Sequence, residues 1–449
     1  MNVRLMRGDC LQVMATLPEA SIDACVTDPP YELGFMGKHW DASGIAYSVE
    51  MWREVLRVLK PGAHIVAFGG TRTYHRMAVA IEDAGFEIRD CLQWLYASGF
   101  PKSLNVSKAI DAMNGDERPV VGTRQAIPGV AFEQSTPYET GRREISITSA
   151  ASAAWEGWGT ALKPACEPIV LARKPLRGTV ASNVLKHGTG ALNIDATRIS
   201  YASDDDKAAA AAAAAAAAQR AGHQKAGQGV YEMGFLDGPG SIPGFLDSQD
   251  MGRWPANVLI DEDVAEMLDE QSGELTSGAN PTRRGTDKFR DIFGAFAGQA
   301  ECEPARGADF GGASRFYFVA KPSREERDYG CRGLTTKTAG ECTDRREGSD
   351  GLNNPRAGAG RTGGGRNFHP TVKPVELMRW LVRLVTPING TVLDPFLGSG
   401  TTGMACRYEL RSFIGIEREA EYLEIAEKRI AAVAPLFADS SRDGSGNAA

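Results

Sequence analysis

The chain has 449 residues, 42% of them apolar and 24% charged, with a formal net charge of −7. That length suits two or three structural units, or one domain carrying a large insertion, and the apolar fraction is ample for a sizeable core. No run of 18 apolar residues occurs, which excludes a membrane-spanning helix, and the acidic balance argues against a nucleic-acid coat protein without excluding a DNA enzyme.

The front of the chain, 1–111, alternates strands and helices. Asn2 to Met6 and Ile22 to Thr27 read as strands. In SVEMWREVLRVLKPG, Met51 or Trp52, Val55, Leu56 and Leu59 share a helix face, which Pro61-Gly62 is expected to stop. HIVAFGG is the next strand, Tyr74 to Ala84 the next helix and EIRDCLQWLYA a further strand. This alternation predicts βαβ units, hence an α/β fold with a mostly parallel sheet.

The middle, 112–314, is poorly patterned and reads as a large insertion. Glu167 to Ala172 is strand-like, the eleven-alanine run from Ala208 to Ala218 has no face to bury, and RWPANVLIDEDVAEMLDEQ is a strand followed by a helix. Residues 315–367 are rich in Gly and Arg, and the expectation is a basic, mobile segment. Eight cysteines are scattered without a CxxC pair, the pattern of reduced thiols in a cytoplasmic protein. Cys302, Cys331 and Cys342 share one polar region, yet the spacing favours no metal site. The charged N-terminus lacks the apolar stretch of a signal peptide.

The back, 368–434, is sharply patterned, and 435–449 reads as a disordered tail. Pro374 opens a helix carrying Leu377, Met378, Leu381, Leu384 and Val385 on one face. Thr391 to Leu393 is a buried strand, residues 398–403 a glycine turn, and a helix, the strand Phe413 to Ile416 and a closing helix follow. The turn GSGTTG matches G-x-G-x-x-G, and Glu417 lies 19 residues past Gly398, where a ribose-binding acid belongs. Such a turn brings backbone close to an adenosine-type cofactor; a nicotinamide dinucleotide would satisfy the same pattern. Two further acids discriminate. Asp394 immediately precedes the turn and suits a cationic amino-acid-bearing ligand better than a pyrophosphate. Asp28-Pro29-Pro30-Tyr31 follows another strand end, on the sheet edge where α/β ligands bind.

Asp28-Pro29-Pro30-Tyr31 together with the stretch Asp394 to Thr401 resembles the amino-group DNA methyltransferases that use S-adenosyl-L-methionine. With the catalytic motif near the N-terminus and the cofactor motif near the C-terminus, the order is similar to the permuted β group of that family. Relatives acting on RNA or protein mostly run in the opposite order. The resemblance covers about 1–110 and 315–434. It implies a Rossmann-like, doubly wound methyltransferase fold with 112–314 as the target-recognition region and double-stranded DNA as partner. It also implies catalysis by Asp28, Pro29, Pro30 and Tyr31, and a cofactor loop at Phe396, Gly398 and Gly400. Asp394 would lie near the methionine amino group, Glu417 on the ribose hydroxyls, Asp9 near the adenine, and Lys373 in the segment closing over the methionine end. Asp-Pro-Pro-Tyr accompanies N6-adenine methylation more often than N4-cytosine methylation, so adenine is the expected target. A nicotinamide-dependent oxidoreductase would share the glycine turn but gives Asp28 no task. A DNA-binding module without catalysis, or an RNA or protein amide methyltransferase, are the other readings. The sequence leaves open the recognition site, the oligomeric state and whether a restriction endonuclease accompanies the chain.

Overall fold

A computed structural model describes residues 2–33, 39–99, 103–125, 142–146, 149–201, 203, 204, 206–208, 210, 252–273, 288–290, 294–296, 311–320, 325–338, 341 and 365–433. Most of the alanine run (211–218), Cys302, Cys342, much of the Gly/Arg-rich stretch and the tail 435–449 lie outside the described residues. Two compact units emerge: residues 1–192 with 321–449, and residues 193–320.

The first unit holds strands β1 (Val3–Arg7), β2 (Ile22–Thr27), β3 (Leu59–Phe68), β4 (Glu87–Leu95), β5 (Val120–Gln125), β6 (Arg142–Ser146), β7 (Cys166–Arg173), β12 (Thr391–Asp394) and β13 (Ser412–Glu417). Strands β5 and β6 form a separate antiparallel pair, and the others build one sheet in the order β1-β13-β12-β2-β3-β7-β4. Among the described residues every pairing in it is parallel except those of β7, which runs antiparallel to β3 and β4. The sheet therefore takes a strand from each end of the chain and one from within 112–314. In the second unit, β8 (Val258–Asp261) pairs in parallel with β11 (Phe318–Ala320), and β9 (Lys288–Arg290) pairs antiparallel with β10 (Gly294–Phe296).

Helices cover both faces of the sheet. On one face Cys25, Ile65, Ala67, Ile414 and Ile416 join Met14 of α1 (Cys10–Met14), Trp52 and Val55 of α2 (Val49–Val58) and Ile81 of α3 (Tyr74–Asp83) in one core. The unit also contains α4 (Val106–Asn114) and α5 (Val180–His187), and the second unit α6 (Glu262–Ser272). Then come α7 (Val375–Val385), α8 (Thr401–Tyr408) and α9 (Ala420–Ala432). Phe413, pointing the opposite way from Ile414, lies beside Gly403 of α8 and Ile430 of α9. Strand β2 is buried along its whole length, as a central strand covered on both sides must be. Its one carboxylate, Asp23, ties neighbours together, accepting from Lys60 Nζ (2.6 Å) and from the Thr391 amide (2.8 Å).

The end of α2 departs from the sequence expectation. The helix stops at Val58, three residues ahead of Pro61, because Leu59 already pairs with Ile22. The register then jumps to Ala24 opposite His64, so Pro61 and Gly62 sit in a bulge within β3. Asn183 Nδ2 and Thr189 Oγ1 hold that bulge by donating to the Pro61 carbonyl at 2.9 and 2.6 Å.

Candidate active site

Strands β2 and β12 are neighbours, with Cys25 opposite Leu393. From β12 the chain proceeds towards β13 on one side, and from β2 towards β3 on the other, so strand order reverses between them. That reversal opens a crevice at the carboxyl ends, the general ligand position of open α/β sheets. Here the first unit contains a cavity of about 1360 Å³, lined by Asp9, Asp28, Pro29, Pro30, Tyr31, Lys373, Asp394, Phe396, Gly398 and Glu417. Typical ligand pockets reach about 300–1,000 Å³, so this one has room for more than a single small molecule.

At the glycine-turn end, Asp394 is buried where β12 stops. It accepts from Thr27 Oγ1 (2.7 Å), Thr402 Oγ1 (2.7 Å) and the Phe396 amide (3.1 Å), which fixes the carboxylate and joins β2 to β12. Burial raises its pKa to about 6, against the pull of those hydrogen bonds. Glu417, ending β13, accepts from the amides of Gly398 (2.8 Å) and Glu419 (2.9 Å), and burial raises its pKa to about 7. Gly398 has φ +52°, and a Cβ there would meet the His369 ring at 2.9 Å. The His369 ring accepts no charge readily, since burial lowers its pKa to about 4, and it packs edge-on against Tyr422 with centroids 4.6 Å apart.

Gly400 is brought to a different place. Its φ is +81°, and its missing Cβ faces Ala426 of α9, with Cα 2.9 Å away, so it lets helix and turn pack rather than lining the cavity. Arg429, fully buried on α9, supports the turn from behind by donating to the Ser399 carbonyl (2.7 Å), Ser399 Oγ (3.0 Å) and Thr401 Oγ1 (3.1 Å). Asp9 lines the cavity but also caps α1, accepting from the Leu11 and Gln12 amides at 3.0 and 3.3 Å.

At the other end Asp28 follows β2 directly. Lys373, preceding α7, reaches across to its Oδ2 at 2.6 Å. The same ammonium lies 3.2 Å from the Tyr31 hydroxyl and 3.3 Å from Glu167 Oε2. The Tyr31 hydroxyl donates to Glu167 Oε2 at 2.9 Å. Burial would lower the Lys373 pKa, but Asp28 and Glu167 outweigh it and the net direction is upward. Burial, then the charges of Asp28 and Glu167, push the Tyr31 phenol well up. Asp28 Oδ1 is buried and makes no hydrogen bond among the described residues. The loop beyond is pinned: Asp41 accepts from the Glu32 and Leu33 amides at 3.0 and 3.2 Å, and Thr73 Oγ1 donates to the Tyr31 carbonyl at 2.8 Å.

Every residue singled out from the sequence except Gly400 thus lines one cavity. Sequence reasoning missed Glu167, which the antiparallel strand β7 delivers to Lys373, and Arg429 and Thr402, which shape the turn. A carboxylate opening an apolar strand, as in CEPIVLAR, is the signal that could have drawn attention to Glu167.

Residues 22–428 match the N6_N4_Mtase family, described as DNA methylase. Over 62 residues the chain is 48% identical to the Type II methyltransferase M2.LlaDCHI of Lactococcus lactis subsp. cremoris, covering 14% of this chain and 23% of that one. Over 71 residues it is 42% identical to M.HinfI of Haemophilus influenzae, covering 16% and 20%. The matches therefore span less than a quarter of the length of these relatives. Among solved structures, TTHA0409 of Thermus thermophilus complexed with S-adenosyl-L-methionine aligns over 97% of this chain and 96% of that one, at 17% identity and TM-score 0.36. The cytosine-N4-specific PvuII DNA methyltransferase aligns over 98% and 88%, at 12% identity and TM-score 0.39. At those scores the structural likenesses carry no argument about chemistry. The family match does not depend on them: it runs from the first residue of β2 into α9, takes in both ends of the cavity, and shows that the chain belongs to the N6/N4 DNA methylase family.

Proposed function

We propose that this chain is a site-specific DNA methyltransferase that moves a methyl group from S-adenosyl-L-methionine to N6 of an adenine flipped out of duplex DNA. The observation that carries the reading is Asp28 Oδ1: a buried acceptor without a hydrogen-bond partner among the described residues, on a side chain that lines the same cavity as the glycine turn. A buried acceptor left unmade costs roughly 1–3 kcal/mol, a cost removed when a donor arrives.

Several features suit the cofactor. The cradle at Gly398 would be filled by any Cβ, Asp394 suits the cationic methionine amino group, and Glu417 and Asp9 suit the ribose and adenine ends. When bound, S-adenosyl-L-methionine supplies an electrophilic methyl group and leaves as the neutral thioether. The rest falls to the protein. The exocyclic amine of adenine is a poor nucleophile because its lone pair is delocalised into the ring. Asp28 Oδ1 accepting one N–H and the Pro29 carbonyl the other draws the nitrogen towards tetrahedral geometry and frees the lone pair. The prolines fix φ, so these acceptors are placed before substrate arrives. Asp28 also accepts the proton that the methylated amine sheds. Tyr31 offers a ring for the flipped base; flipping costs a few kcal/mol and stacking returns about 1–3. We assign sequence reading to 112–314 with the basic residues beyond it. The Asp-Pro-Pro-Tyr form of the motif favours adenine over cytosine.

The test is methyl transfer from labelled cofactor to unmethylated genomic DNA, with Asp28→Ala alongside, followed by nucleoside mass spectrometry. N6-methyladenine from the wild type, at least about 10³-fold reduced in the variant, is the expected result. N4-methylcytosine would retain the mechanism and overturn the base assignment. No transfer by a protein that binds the cofactor would overturn the DNA reading.

A further inference from the structure

Among the charged groups of the cavity that the proposed chemistry leaves unused, Glu167 is the one in contact with Lys373 and Tyr31. Glu167 is the second residue of β7, the strand that runs against its neighbours in the sheet, and its side chain is largely buried. It is a carboxylate beside a carboxylate: Asp28 and Glu167 both contact Lys373, at 2.6 and 3.3 Å. Two acids sharing one ammonium leave a net negative charge in a place where, on the function proposed above, a base amine becomes cationic. A purely structural ion pair would need one acid, and a buried second one is costly unless its charge has a use.

Geometry says what that use is. Lys373 Nζ has three protons, and the structure gives it three acceptors: Asp28 Oδ2, the Tyr31 hydroxyl oxygen and Glu167 Oε2. The Tyr31 hydroxyl spends its own proton on Glu167. Of the two Asp28 oxygens, Oδ2 is therefore committed and Oδ1 is left open. Without Glu167, Lys373 would have two acceptors for three protons and would be free to move over both oxygens of Asp28, closing the one acceptor that the amine needs. The Tyr31 ring would also lose the bond that sets its tilt.

We propose, resting on that reading of the site, that Glu167 is a positioning residue for methyl transfer: it anchors Lys373 and the Tyr31 hydroxyl so that Lys373 stays on Oδ2 of Asp28 and Oδ1 is kept open for the base amine. It touches neither the cofactor loop nor the turn, both built on the opposite side of β2. Tyr96 and His369 complete the surroundings: burial raises the phenol of Tyr96, and Glu167 adds to that, while His369 is held neutral. Among the described residues, Lys373 is the cation that pairs with Asp28.

The experiment compares wild type with Glu167→Gln, Glu167→Asp, Tyr31→Phe and the Glu167→Gln/Tyr31→Phe double variant. Glu167→Gln keeps the shape and an acceptor for Tyr31 but loses the charge on Lys373. Its single-turnover rate of methyl transfer should fall about 10- to 100-fold, with KM for the cofactor and affinity for S-adenosylhomocysteine within about twofold, and Glu167→Asp should recover part of the rate. Because the two residues act through one hydrogen bond, the double variant should lose less than the product of the single losses. A Glu167→Gln rate within twofold of wild type, or losses that multiply, overturns the inference. So does a loss that appears in cofactor affinity instead of rate. Midpoints of urea unfolding for wild type, the two single variants and the double variant give a second cycle that needs no activity; independence of the two positions there overturns the proposed anchoring. A wild type that methylates no DNA but shows this coupling would overturn the function and leave the Glu167 anchor standing.

Discussion

Burial rather than charge pairing sets the two carboxyls at the glycine turn. Glu417 stands at about 7 and Asp394 at about 6, from ordinary values of 4.5 and 3.8. A carboxyl that binds its proton more tightly in the folded chain favours folding where it is protonated. For Glu417 that contribution is complete below about 4.5 and is lost as pH rises through about 7. Glu417→Gln removes the dependence. Between pH 5 and pH 8 its stability relative to wild type should therefore shift in the variant's favour by about 2 kcal/mol, read from urea unfolding without ligand. Parallel stability curves for the two proteins would mean that Glu417 is already ionised at pH 5. His64 and His369, both lowered to about 4 by burial, act in the opposite sense, costing stability as pH falls below about 6.5.

The turn between β12 and α8 separates two uses of glycine. Gly400→Ala would combine φ +81° with a Cβ 2.9 Å from the Ala426 backbone, where neither partner can yield. It should cost about 2–4 kcal/mol in thermal or denaturant unfolding. Gly398→Ala meets only the edge of the His369 ring, so its stability loss should be smaller and its loss of cofactor affinity by calorimetry larger. A reversed ranking would show that Gly398, and not Gly400, carries the packing. Both glycines were legible as a turn in the sequence, because G-x-G-x-x-G fixes the backbone; which one lines the cavity was not, since that depends on α9, about twenty residues later in the chain. The same limit applied to α2. Its apolar face was readable from Met51, Trp52 and Val55, but its stop at Val58 follows from Leu59 pairing with Ile22, a contact between distant segments. Asp28 and the turn were legible because proline and glycine leave local signatures. Glu167 was not, because a lone acid on a strand acquires meaning only when Lys373 arrives from the far end of the chain.

All residues lining the cavity belong to the first unit, 1–192 with 321–449. Replacing 193–320 by a short Gly/Ser linker should therefore leave S-adenosylhomocysteine binding within several-fold of the full chain while abolishing site-selective methylation. Loss of binding in a folded deletion protein would show that the second unit supports the cavity. The basic residues that follow are less available than their spacing suggests. Lys337 pairs with Glu421, Lys373 with Asp28, and Arg379 and Arg383 both with Glu409. At the sheet's other edge β1 lies beside β13, with Val3 opposite Phe413, and β12 is wedged between β13 and β2. Strand β1 thus waits for β13, the last strand of its sheet in chain order, before it finds its neighbour. Such long loop closures make for slow folding, and they also impose an order on competence. A chain cut short before Lys373 has Asp28 but neither Lys373 nor the glycine turn, so on the proposed function it would transfer no methyl group until Glu417 is in place.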